Sequence, residues 1–147
     1  MLGLYDRSAI VVALMVLAVL LSCRGSNQAY VPTGQDAEQI RQVAVAYMRF
    51  ISSHRNRPPS SERVFRKFLE GALKWDEAKI ESMLVSPRDG QPYKIVYDVP
   101  ILGSKPVVVV YERTGVGGDR YVGFDFGGVE IADEERFAML VEETEEP

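Results

Sequence analysis

The hydrophobic pattern changes period once, at Ser86-Pro87-Arg88-Asp89-Gly90, and that change limits the fold more than any other feature of the chain. Before this point apolar residues recur at helical spacing, and after it they alternate. Ile40, Val43, Ala44, Tyr47, Met48 and Ile51 fall on one helical face. Asp36 with Gln39 three residues on predicts a capping box at the start of that helix. Arg57-Pro58-Pro59 ends it, because a residue before proline avoids the α region. Ser60 or Ser61 is expected to cap a second helix with Val64, Phe65, Phe68, Leu69, Ala72 and Leu73 as its stripe and Gly71 within it. A third, short helix is expected near Asp76, carrying Ala78, Ile80, Met83 and Leu84.

The break itself reads as a turn. Pro87 fixes φ, Asp89 closes an Asx-turn and Gly90 takes positive φ. Beyond it, Tyr93 to Val99 alternates, with Tyr93, Ile95, Tyr97 and Val99 on one face. Val107 to Arg113 is nearly continuous in apolar residues and reads as a central strand. Gly115 to Asp119 forms a loop. Tyr121 to Phe126 and Val129 to Ala132 flank Gly127-Gly128, a two-residue hairpin signal. Asp133 is expected to cap a final short helix with Phe137, Leu140 and Val141. The expected architecture is α+β: N-terminal helices packed on one face of a small antiparallel meander of about four strands, then a short C-terminal helix.

Ahead of this domain lies an uncharged apolar run, Ala9 to Leu21. A membrane-spanning helix needs about 20 apolar residues, whereas a secretory h-region needs roughly 7–15. Arg7 and the α-amine supply positive charge before the run, and Asp6 weakens it. Leu20-Leu21-Ser22-Cys23 follows and resembles the lipobox of bacterial lipoproteins, with Leu21 where a smaller residue is more usual. The resemblance implies cleavage between Ser22 and Cys23, lipidation of Cys23 and acylation of its new amine. The partner implied is membrane lipid through Cys23, since two or three acyl chains give stable attachment where one is marginal. Arg24 after the cysteine leans the address towards the periplasmic side of the outer membrane by resemblance to enterobacterial sorting. The alternative is an uncut, tilted anchor. The expected division is residues 1–22 signal peptide, 23–35 flexible polar tether, 36–141 one α+β domain and 142–147 acidic tail.

The turn Pro87-Arg88-Asp89-Gly90-Gln91-Pro92-Tyr93 and the closing hairpin resemble the C-terminal β region of type II secretion pseudopilins. They also resemble small envelope proteins of planctomycetes that carry a Ser-Pro-Arg-Asp-Gly-x-Pro-Tyr turn. Pseudopilins keep a methylated Phe and a Glu at the start of a retained apolar helix, and this chain does not. The likeness therefore concerns fold, which does not carry function with it.

Composition narrows the chemistry. Cys23 is the one cysteine, so intramolecular disulfides, CxxC redox pairs and Cys-rich zinc sites are excluded. A net charge of -4, with basic residues scattered among acids, argues against nucleic acid. His54 is the one histidine and lies at a helix end, where the dipole favours a cation. No HExxH, GxSxG or SxxK motif occurs. Asp98, Glu112 and Asp125 lie on neighbouring expected strands and are the candidates for paired-carboxylate glycan chemistry. Nothing in their spacing demands a pair, and the reading preferred is that they are the polar positions of a half-solvated sheet. Gly115-Val116-Gly117-Gly118 follows a strand but precedes no helix, so it is a hairpin loop and not a phosphate cradle. Asp89 and Asp119 in glycine-rich turns are candidate calcium ligands, and Glu142, Glu143, Glu145 and Glu146 a solvated acidic run. No catalytic residue, metal or cofactor is assigned. Tyr97, Tyr111 and Tyr121 form the candidate interaction face. The expected function is a non-enzymatic interaction or structural module with an envelope protein as partner. The alternatives are a pseudopilin-like secretion accessory and a carboxylate-based glycan enzyme.

Overall fold

A computed structural model describes residues 32–101 and 105–145. The expected lipobox, Leu20-Leu21-Ser22-Cys23, and its apolar run lie outside the described residues. The described part is α+β, with four helices and a four-stranded antiparallel sheet. Helices α1 (Gln35–Ser53), α2 (Glu62–Gly71) and α3 (Glu77–Met83) precede strands β1 (Lys94–Ile95), β2 (Val108–Tyr111), β3 (Arg120–Phe124) and β4 (Val129–Ala132). Helix α4 (Glu134–Glu145) ends the described chain. The strands lie in sequence order, so β2 and β3 are central and β1 and β4 are edges.

Helix α1 begins earlier than the capping-box signature predicts. Gly34 is its N-cap, with φ 119°, and no side chain caps it. Asp36 and Glu38 sit in the first turn, where negative charge suits the helix dipole. Gln39 does not reach back to a cap. Its amide donates to the carbonyls of Ser82 and Val85, and so supplies donors to the orphan end of α3. Asp76 caps α3 as expected, accepting from the Lys79 amide at 2.7 Å. Gly71 closes α2 and does not lie in its interior.

The main core lies between α1–α3 and one sheet face. Ala37, Ile40, Val43, Ala44, Tyr47, Phe50 and Ile51 meet Phe65, Leu69, Ile80, Ile95, Val110 and Val129. The Tyr47 hydroxyl donates to the Val96 carbonyl at 2.8 Å, and burial raises its phenol above the ordinary range. Gly123 lets α1 approach the sheet: a Cβ there would stand 2.7 Å from Val110 Cγ1 and 3.1 Å from Ala44 Cβ. Gly123→Ala is therefore expected to cost about 1–3 kcal/mol by overpacking, read as a lowered melting temperature.

The strands depart from a plain alternating meander in three places. The first strand is short because Asp98 turns the chain with φ 57° and gives its amide to the Pro59 carbonyl. In β2 the register slips between Val108 and Val110. This bulge puts Val109 and Val110 together in the main core and sends Tyr111 to the opposite face. The closing hairpin is not a two-residue Gly127-Gly128 turn. Gly127 N–H bonds to the Phe124 carbonyl and Phe124 N–H to the Gly128 carbonyl, leaving a three-residue loop, Asp125-Phe126-Gly127.

Helix α4 covers the face that the sequence pattern leaves open. Leu140 and Phe137 pack on Val108, Tyr111, Val122, Phe124 and Ala132. Asp133 caps the helix through the Arg136 amide at 2.8 Å. The helix runs on through Glu142 and Glu143, into the stretch expected as a tail. There the Thr144 hydroxyl accepts from the Val108 amide at 3.2 Å and donates to the Leu140 carbonyl. The sheet is thus helix-covered on both faces.

Candidate functional site

The sequence candidates separate in space. Tyr97 is half-buried against the main core, and burial pushes its phenol up to about 12. Tyr121 is buried in the same core beneath the Arg88 guanidinium, 4.1 Å from its ring centroid. Tyr111 belongs to the other sheet face and meets Phe137 edge-on at 5.0 Å. The three do not make one continuous exposed surface.

The three carboxylates have different surroundings. Glu112 is 0% exposed and tied on three sides: it accepts from Ser86 Oγ at 2.6 Å, Arg88 Nη1 at 2.8 Å and the Tyr121 amide at 2.9 Å. Held by a cation and two further donors, this buried carboxylate fastens the Ser86–Arg88 turn to the sheet. Asp125, in the hairpin loop, accepts from the Val107 amide at 3.1 Å. Asp98 is exposed and lines a hollow with His54.

Asp89 holds its turn to the β2–β3 loop. One oxygen accepts from the Gln91 amide, and the other from the Thr114 and Gly115 amides at 3.3 and 3.0 Å. Burial pulls its carboxyl up, and those amides together outweigh it, holding the group below the usual carboxylate range. Gly115 has φ 71°, and a Cβ there would lie 2.2 Å from the Asp119 carbonyl oxygen, so the loop requires glycine. Among the described residues no group of three His, Cys, Asp or Glu side chains is placed to hold a metal ion.

Besides a polar recess of about 320 Å³ lined by Tyr97, Arg66, Glu81 and Arg113, two larger concavities stand out among the described residues. The first is an apolar groove of about 460 Å³ between the hairpin and α4. Phe124, Val129, Leu140 and Pro106 line it, and Arg41, Arg136 and Glu143 stand at its margin. Phe126, 57% exposed, stacks on Phe124 with centroids 5.6 Å apart. Arg136 grips Glu130 with two bonds, 2.7 and 3.3 Å. That hydrogen bonding holds the guanidinium more firmly protonated, against the opposing effect of its own burial. The sequence carried a weak signal for this groove in Phe126 beside a glycine pair. It did not show that α4 would close the other wall.

The second concavity is a hollow of about 610 Å³ at the C-terminal end of α1, lined by Phe50, His54, Arg55, Arg57, Val64 and Asp98 among others.

The described residues form a small α+β fold with a helix-covered antiparallel meander, offering an apolar groove and a charged hollow. No family model, curated protein or solved structure matches the chain. Among the described residues no helix is long and apolar enough to cross a membrane.

Proposed function

We propose that the chain is an envelope lipoprotein, acylated on Cys23, whose folded domain works by contact with another envelope protein and not by catalysis. The anchor rests on the lipobox-like Leu20-Leu21-Ser22-Cys23 and the short apolar run before it. The contact reading rests on one observation: Phe126 stands 57% exposed over a groove floored by Phe124, Val129 and Leu140. Exposed aromatic residues beside an apolar concavity with charged margins have the anatomy of an interface core and rim. The occupant that suits it is an apolar segment of a partner polypeptide, oriented by the arginines and Glu143 at the margin.

The test combines two readouts on protein taken from membranes. The N-terminal peptide is expected to begin at lipid-bearing Cys23, and Cys23→Ala to abolish the modification. An unmodified chain starting near Met1 overturns the anchor. A photo-crosslinker at position 126 is expected to join one defined partner, and the same label on the exposed Lys67 of α2 is not. Equal labelling from both positions overturns the contact surface.

A further inference from the structure

The hollow at the end of α1 holds charges of opposite sign that do not pair. Arg55, Arg57 and Asp98 all line it. Yet among the described residues none of the three has an ion-pair partner within 4.0 Å. Some other charges of the domain do pair across its surface, as Arg66 does with Glu62 and Glu81. The floor is aromatic and apolar: the His54 ring lies flat on Phe50 at 3.9 Å, with Val64 beside them. His54 Nδ1 lies 2.8 Å from the Phe50 carbonyl, which can only accept, so that nitrogen carries the hydrogen. Nε2 makes no hydrogen bond among the described residues.

The backbone supplies an independent observation. Arg55 occupies the position just past the helix end with φ 58°, where glycine is the favoured residue. The Asn56 amide closes that turn on the Ile51 carbonyl at 3.0 Å. Asp98, across the hollow, is also left-handed, at φ 57°. A bulky arginine at a glycine position is a local conflict between sequence and fold, and such conflicts gather at functional sites.

We propose that this hollow binds a small zwitterion, its oxyanion held by the Arg55 and Arg57 guanidiniums and its ammonium by the Asp98 carboxylate. Planar guanidinium forks match phosphate and carboxylate oxyanions. The ammonium requirement separates this site from a plain anion patch, because Asp98 repels a simple anion. The assignment is independent of the apolar groove and of the anchor.

The test uses the full chain in non-ionic detergent, titrated with phosphoethanolamine and followed by amide chemical shifts. Saturable shifts are expected at Arg55, Asn56, Val64 and Asp98. Affinity is expected to exceed that for inorganic phosphate or ethanolamine by at least about tenfold. Asp98→Asn keeps a residue that tolerates the left-handed backbone, and it is expected to bring phosphoethanolamine down to the level of inorganic phosphate. Arg55→Gly is expected to raise the melting temperature by relieving the backbone, while weakening binding by at least about tenfold. Glycerophosphoethanolamine locates the source: equal affinity points to a lipid headgroup, and clearly weaker affinity to a free phosphomonoester. Both results support the zwitterion site. Absence of saturable shifts, or phosphate binding as tightly as phosphoethanolamine, overturns it.

Discussion

Glu112→Ala is expected to lower the unfolding free energy by about 3–5 kcal/mol, the range for removing one partner of a buried ion pair. The size follows from what the change leaves behind. Arg88 remains with its side chain only 15% exposed, and it loses the carboxylate 2.8 Å away. Ser86 Oγ and the Tyr121 amide lose their acceptor at the same time. Each buried donor left without a partner carries its own desolvation cost. Urea unfolding of wild type and variant measures the loss as a shift in midpoint at unchanged slope. The double variant Glu112→Leu with Arg88→Met is expected to recover most of it, because apolar side chains of similar volume replace a buried pair at little net cost. A loss below about 1 kcal/mol in Glu112→Ala would show that water takes over the carboxylate's role.

The same network shows where sequence reading stopped. The helical faces were legible because 3.6-residue spacing is a local property, and Ile40, Val43, Tyr47, Phe65 and Leu69 all enter the core it predicts. The caps at Asp76 and Asp133 and the Asx-turn at Asp89 were legible for the same reason: each bond spans two or three residues. What depends on distant partners was not. Gln39 looked like half of a capping box, but its acceptors lie 43 and 46 residues on. The strand expected to reach Val99 stops early because the Asp98 amide finds Pro59, 39 residues back. The acidic end of the chain looked like solvated tail, yet the Thr144 hydroxyl takes the Val108 amide and holds that end as helix. The bulge in β2 turns Tyr111 to the second face, away from Tyr97 and Tyr121. Glu112 did stand out, as an acid closing an apolar run. Its meaning came only from Ser86 and Arg88, which the fold brings back across more than 20 residues.

Phe65→Ala is expected to cost about 3–5 kcal/mol, the range for deleting a fully buried aromatic ring. Phe65 is 0% exposed and fills the joint where α1 meets α2. Its ring lies 5.6 Å from Tyr47 and 6.3 Å from Phe50, so its removal empties space that rigid neighbours on both helices cannot fill. Phe126→Ala deletes the same number of atoms at a site 57% exposed, where the ring stacks on Phe124. That change is expected to cost only about 1 kcal/mol, the worth of a single aromatic pair. Parallel urea titrations make the comparison direct, since both variants lose an identical side chain and differ only in burial. The threefold or greater gap separates the two uses of an aromatic residue. One holds the helices together, whereas the other contributes little to the fold and stands over an open apolar groove. A cost for Phe126→Ala equal to that for Phe65→Ala would make Phe126 part of the core, and the groove beside it would lose its claim as a contact surface.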